Sequence, residues 1–150
     1  MLSTKDKLIQ VTAGLIRRKG YSGTGISEVL KEVGVPKGSL YHHFPDGKNG
    51  LIRQAIQYGG EAQMLKYGEA LRGQPALEGL SAMVDVMIND LLESDYKDAC
   101  PITAVAAVAT SMDEDIRLAC ENIFKGWQEN LAGYLERRGI SKANQKAEQL

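Results

Sequence analysis

The chain has 150 residues, 43% of them hydrophobic and 25% charged, with a formal net charge of −1. That is the composition of an ordinary globular protein, either one domain or a small head on a larger body, and it excludes a disordered, fibrous or membrane-embedded chain. The longest apolar run, Ile102 to Thr110, is about half the ~18 residues a membrane span needs.

The start Met-Leu-Ser-Thr-Lys-Asp lacks the apolar segment of a secretory signal, so the chain is expected in the cytoplasm. The two cysteines, Cys100 and Cys120, fit reduced, buried thiols there better than a disulfide framework. The small net charge conceals an asymmetry. Residues 1 to 50 hold eight Lys/Arg against four Asp/Glu, and residues 51 to 150 hold ten against fifteen. A basic head on an acidic body suits a protein that holds phosphates at one end.

Ser3 or Thr4 can cap a first helix, with Asp6 favouring its positive end. Leu8, Ile9, Thr12, Leu15 and Ile16 recur at helical spacing, and Gly20 stands where that helix should close. Arg17-Arg18-Lys19 either approach an anionic partner or complement the negative end of the helix. Thr24 is placed to cap a second helix, Ser27 to Val33, and Gly34 sits where the chain must turn. A third helix begins near Pro36, whose missing N–H costs least there. Its Leu40 and Phe44 are four residues apart and face one core. That leaves Lys37, Gly38, Ser39, Tyr41, His42 and His43 on its open faces, a donor-rich set without a carboxylate. Helix, glycine-containing turn and donor-rich helix make the shape of a helix-turn-helix, whose second helix enters the DNA major groove.

Pro45-Asp46-Gly47-Lys48 reads as a turn opening a long helix. Leu51, Ile52, Ala55 and Ile56 continue an apolar stripe to Gly59-Gly60, a pair that either kinks the helix or lets a neighbour pack closely. Gly73 and Pro75 separate it from a helix whose Leu77, Leu80, Val84, Met87, Ile88 and Leu91 form one apolar face. Cys100-Pro101 opens a small-residue helix expected to be buried nearly all round. Ser111 with Glu114 reads as a capping box for a long helix striped by Ile116, Cys120, Ile123, Trp127, Leu131 and Tyr134 and ended by Gly139. No repeat, low-complexity run or strand-like alternation interrupts this, so the expected fold is all-α.

Gly20-Tyr21, Thr24, Gly34-Val35, Lys37-Gly38-Ser39-Leu40-Tyr41, His43-Phe44-Pro45 and Lys48 resemble the N-terminal pattern of TetR-family transcriptional repressors. The resemblance covers roughly residues 5 to 56, and beyond it only the order of helices agrees. It implies a three-helix DNA-binding head at 1–47 and a helical ligand-binding and dimerisation body at 48–150. It further implies a homodimer on a palindromic operator in double-stranded DNA, released when a small-molecule inducer enters the body. The family closes with two long interface helices, whereas this chain stops in Ser141 to Leu150, so the 150-residue form is expected to pair weakly.

By carry-over, Lys37, Gly38, Ser39 and His42 face bases, while Thr24, Tyr41, His43 and Lys48 meet phosphates. For Thr24 capping, for His43 packing within the head, and for Lys48 an ordinary surface position are the plain alternatives. In the body, Trp127, Met83, Met87, Phe124, Tyr67 and Ile102 are the candidate ligand contacts, with Tyr58, Met64, Ile88, Val105 and Tyr134 as further lining. Apolar stripes of this kind also serve simply as core. Trp127 stands out because a large ring with one N–H can stack on a flat ligand and orient it. No cofactor, metal site or membrane contact is expected: adjacent His42 and His43 point about 100° apart and share one ion poorly. A competing enzyme reading finds no nucleophile elbow, phosphate loop or carboxylate–histidine pair. A helical interaction protein with a vestigial head would have lost the basic balance and the Lys-Gly-Ser opening.

Overall fold

A computed structural model describes residues 2–108 and 113–140. Among the described residues there are seven helices and no strand: α1 (Thr4–Gly23), α2 (Ile26–Val33), α3 (Lys37–His43), α4 (Gly47–Leu71), α5 (Ala76–Glu93), α6 (Pro101–Ala106) and α7 (Glu114–Glu136). None of these is long and apolar enough to cross a membrane.

Local chemistry explains the boundaries. Ser3 caps α1: its hydroxyl accepts the Asp6 N–H at 3.1 Å, and the Asp6 carboxylate accepts the Ser3 N–H at 3.2 Å and its O–H at 2.7 Å. These hydrogen bonds hold the Asp6 carboxyl below its ordinary value. The regular run of α1 breaks at Gly20, whose φ of 67° lies in the left-handed region that glycine enters freely. Gly34 does the same at the end of α2 with φ 77° and ψ 35°, and its N–H and that of Val35 both donate to the Leu30 carbonyl. Pro36 is the residue just before α3 rather than its first helical residue. Asp113 caps α7 by accepting the Asp115 N–H at 2.9 Å. Ser111 and the segment 141–150 lie outside the described residues.

Two apolar clusters organise the molecule. The first joins Leu8 and Leu15 of α1, Val29 and Leu30 of α2, Leu40 and Phe44 around α3, and Leu51 of α4. The second joins Ala13 and Ile16 of α1 and Ile52, Ala55 and Ile56 of α4 to Ile102, Val105, Ile116, Cys120 and Ile123. Helices α1 and α4 therefore contribute to both. A third, smaller cluster of Ala132, Tyr134 and Leu135 closes the far end against Leu71, Ala76, Leu80 and Leu131.

One apolar face is left open, and two expectations of burial, for α6 and for Cys100, are corrected here. The apolar face of α5 is largely open: Leu77, Val84, Met87, Ile88 and Leu91 are exposed, because α5 packs chiefly on α4 and nothing among the described residues covers its other side. Helix α6 is one-sided, with Ile102 and Val105 buried and Thr103 exposed. Cys100 is only half-buried, whereas Cys120 is buried, which raises its thiol pKa.

Gly59-Gly60 does not interrupt α4, which runs from Gly47 to Leu71. Gly60 is instead a close-packing position: a Cβ there would lie 2.7 Å from Ile123 Cγ2. Ile123 is buried and cannot readily swing away. Gly60→Ala is therefore expected to lower stability by about 1–3 kcal/mol through overpacking, although alanine is the better helix former. Gly68→Ala on the same helix, where a Cβ meets nothing within 4 Å, should raise it by about 0.5–1 kcal/mol. Urea unfolding of the two variants checks this, and equal shifts would refute it.

Candidate nucleic-acid interface and ligand cavity

Helix α3 divides cleanly. Leu40 is 2% and Phe44 is 1% exposed, while Lys37, Gly38, Tyr41 and His42 are exposed and Ser39 and His43 are half-buried. These six groups thus share one short helix whose inner face is anchored in the first cluster. His43 sits edge-on between His42, with ring centroids 4.8 Å apart, and Phe44, at 6.5 Å. Both of its suggested roles, packing and outward contact, are compatible with this position. Lys48 follows at the start of α4, its ammonium 4.7 Å from the centre of the Tyr21 ring. Gly38 is the unusual member: a Cβ there would meet nothing within 4 Å. Glycine is costly in a helix, and no contact inside the fold calls for it.

Thr24 does not fit its expected part. It is fully buried, its hydroxyl donates to the Gly20 carbonyl at 2.7 Å, and the cap of α2 is Gly25. The break at Gly20 turns Thr24 inward, where its hydroxyl closes the turn instead of facing outward. The basic run before it is likewise engaged: Arg17 pairs with Asp98 at 3.4 Å, Arg18 with Glu32 at 4.0 Å and Lys19 with Glu28 at 2.6 Å.

A cavity of about 780 Å³ opens between α4, α5 and α7, with Cys100 and Thr103 at the edge of α6. Of the sequence candidates, Tyr67, Met83, Met87, Phe124 and Trp127 line it, as do Met64 and Tyr134. The Trp127 ring meets Tyr67 and Phe124 edge-on, at centroid separations of 6.1 and 5.6 Å. Its N–H, however, is already spent on the Gly60 carbonyl at 3.1 Å, so it offers a ligand ring surface rather than a donor. Ile102 does not line the cavity. It is fully buried in the second cluster, as is Val105, because the apolar side of α6 faces α1 and α4. Tyr58 lies on a separate shallow pocket with Leu2 and Ile9, and Ile88 is exposed. Burial, and next the neighbouring Cys100, push the Tyr67 hydroxyl up to about 12, so it stays a neutral phenol.

The polar lining is what the sequence reading missed: Arg72, Gln128, Asn130, Arg137 and Arg138. An Arg-Arg pair at the end of a helical stripe reads equally as a dipole complement, so periodicity gives no sign of a cavity there. Among the described residues no group of three His, Cys, Asp or Glu is arranged to hold a metal ion.

Polar contacts tie the cavity walls to the head. Arg53 of α4 pairs with both Asp46, just before α4, and Asp115 at the start of α7, while Asn49 donates to Asp113 at 3.1 Å. The Arg17 carbonyl of α1 accepts the Ala99 N–H at 2.9 Å, next to Cys100.

Residues 8–55 match the profile of bacterial regulatory proteins of the tetR family, and residues 76–150 match that of the LmrA/YxaF-like transcriptional regulator C-terminal domain. The chain belongs to the TetR family of transcriptional regulators. This TetR-family chain is 30% identical over 145 residues to the HTH-type transcriptional regulator LmrA of Bacillus subtilis, covering 95% of the chain and 77% of LmrA. It is 37% identical over 119 residues to an HTH-type regulator of Mycobacterium tuberculosis, covering 79% of the chain but only 60% of that relative's length. The crystal structure of reduced E. coli NemR shares the fold, with a TM-score of 0.86 at 23% identity, over 97% of this chain and 79% of NemR.

Thr24 and Lys48 should separate in experiment. Thr24→Val removes a buried hydroxyl from the Gly20 carbonyl and should cost about 1 kcal/mol of stability while leaving the salt dependence of DNA binding unchanged. Lys48→Ala should leave stability nearly unaltered and reduce the salt slope by about one unit. Thermal unfolding and binding titrations across salt check both, and a changed slope for Thr24→Val would restore it as a phosphate contact.

Proposed function

We propose that this TetR-family regulator is a cytoplasmic, non-enzymatic repressor that binds a palindromic operator as a homodimer and releases it when a small, largely apolar molecule enters the cavity. In this reading residues 1–47 bind DNA, and residues 48–150 sense the ligand and belong to the body through which the full-length subunits pair. Lys37, Gly38, Ser39 and His42 approach base edges, while Tyr41, His43 and Lys48 hold phosphates.

The observation that carries the reading is Gly38, a glycine near the start of a helix with open space where a side chain would stand. A residue the fold does not require, on the donor-rich face of the second helix of a helix-turn-helix, is explained by a partner that must come close to the backbone. Support for ligand response comes from the cavity itself and from the contacts of its walls with the head. A molecule that binds one spacing of the walls better than the other shifts Asn49 and Arg53, and with them the start of α4. Its leverage is its differential affinity for the two states, whatever its total affinity.

The test is readout on DNA selected by the protein from a random pool. Gly38→Ala should leave thermal stability equal or higher, yet weaken operator binding by about tenfold or more. Lys37→Ala and Ser39→Ala should lose affinity for the selected site far more than for random DNA, at about 1–3 kcal/mol per lost base contact. Lys48→Ala should weaken both alike. Uniform losses for Lys37 and Ser39 on both DNAs, or full operator affinity in Gly38→Ala, would overturn the assignment.

A further inference from the structure

The cavity carries charge of one sign. Its lining includes Arg72, Arg137 and Arg138 and no Asp or Glu among the described residues. This bias runs against the surroundings, because residues 51 to 150 hold ten basic and fifteen acidic side chains. The three arginines gather at one end, where α4 and α7 both finish.

They are not equivalent. Arg72 is exposed and paired with Glu69 at 2.7 Å. Arg138 lies 3.6 Å over the Tyr134 ring and donates to the carbonyls of Gln74, Leu71 and Tyr134. Its donors are largely occupied, but among the described residues no carboxylate pairs with it. Arg137 has no acidic partner among the described residues. Its guanidinium lies back along α7, 3.3 Å from where a Gly133 Cβ would stand. Complementing the negative end of α7 explains a cation there, but it does not explain why the described lining holds three arginines and no Asp or Glu.

From this we infer that the cavity takes an organic anion whose apolar, ring-bearing body rests against Tyr67, Phe124 and Trp127 and whose carboxylate lies at the arginine end, held by Arg137. The inference rests on the ligand-response reading above and specifies the ligand's charge. The partly open rim suits it, because a carboxylate there keeps some water while gaining a charge-assisted hydrogen bond from a planar guanidinium. A neutral molecule gains nothing from that end, and a cation is repelled by it.

The chain contains one tryptophan, and it is Trp127 on the cavity wall, so emission excited at the red edge of indole absorption reports occupancy directly. The probes are a matched trio: 4-phenylbutyrate, 4-phenylbutyramide and 4-phenylbutylammonium, titrated into the whole chain. The acid should bind about tenfold more tightly than the amide, and the ammonium should bind most weakly. Arg137→Gln should bring the acid to the affinity of the amide without changing the amide, and Arg137→Lys should keep part of the preference. Equal binding of acid and amide by the unaltered chain would overturn the charge assignment and leave the cavity as a ligand site. A preference that survives Arg137→Gln would remove Arg137 from the holding role. Failure of all three probes to alter Trp127 emission would count against small-molecule sensing itself, and the inference would fall with it.

Discussion

Helix α4 must satisfy two apolar clusters at once. Leu51 faces the cluster beneath α3, and one residue later Ile52, with Ala55 and Ile56, faces the cluster shared with α6 and α7. Helix α1 makes the same double commitment through Leu8 and Leu15 on one side and Ala13 and Ile16 on the other. All of these residues are at most 4% exposed. Close-packed interiors rearrange between discrete arrangements instead of deforming smoothly. Under the proposed ligand response, a shift of α7 or α6 would therefore reach α3 through two packed helices rather than through a flexible tether.

The polar contacts follow the same routes. Asp46–Arg53–Asp115 and Asn49–Asp113 cross from α4 to the start of α7, and Ala99–Arg17 crosses from the approach to α6 to α1. Exposed ion pairs are individually worth about 0–1 kcal/mol, so they do not hold the fold together. What they add is connection: they join the start of α7 and the approach to α6 to α4, Asp46 and α1. Trp127 of α7 also bonds α4, donating to the carbonyl of Gly60, where a Cβ would meet Ile123 of α7.

What was legible in the sequence was what depends on neighbours along the chain. The cap at Ser3, one of two candidates with Thr4, the break at Gly20, the left-handed turn at Gly34, the inward pair Leu40 and Phe44, and the outward face of α3 all follow from spacing and residue type, and all are present. The errors came where the answer depends on distant parts of the chain. Thr24 is a good cap by type, but the break at Gly20 turns it into the interior. Ile102 and Met87 are equally apolar, and only the packing of α6 against α1 decides that the first is core and the second lines a cavity. The open face of α5 and the arginine end of the cavity were invisible for the same reason. An apolar stripe does not say what covers it, and a basic helix end does not say what lies beside it.

One contact has a thermodynamic consequence for association. The break in α1 at Gly20 leaves Tyr21 beneath the start of α4, and the Lys48 ammonium rests over its ring. A free lysine samples many rotamers, and immobilising a rotamer-rich side chain on binding costs about 0.5–1.5 kcal/mol. If Lys48 meets a phosphate, as proposed above, the ring meets part of that entropic cost before any DNA arrives. That contact would then form with less ordering, and its benefit would show in how long the complex lasts rather than in how fast it is found.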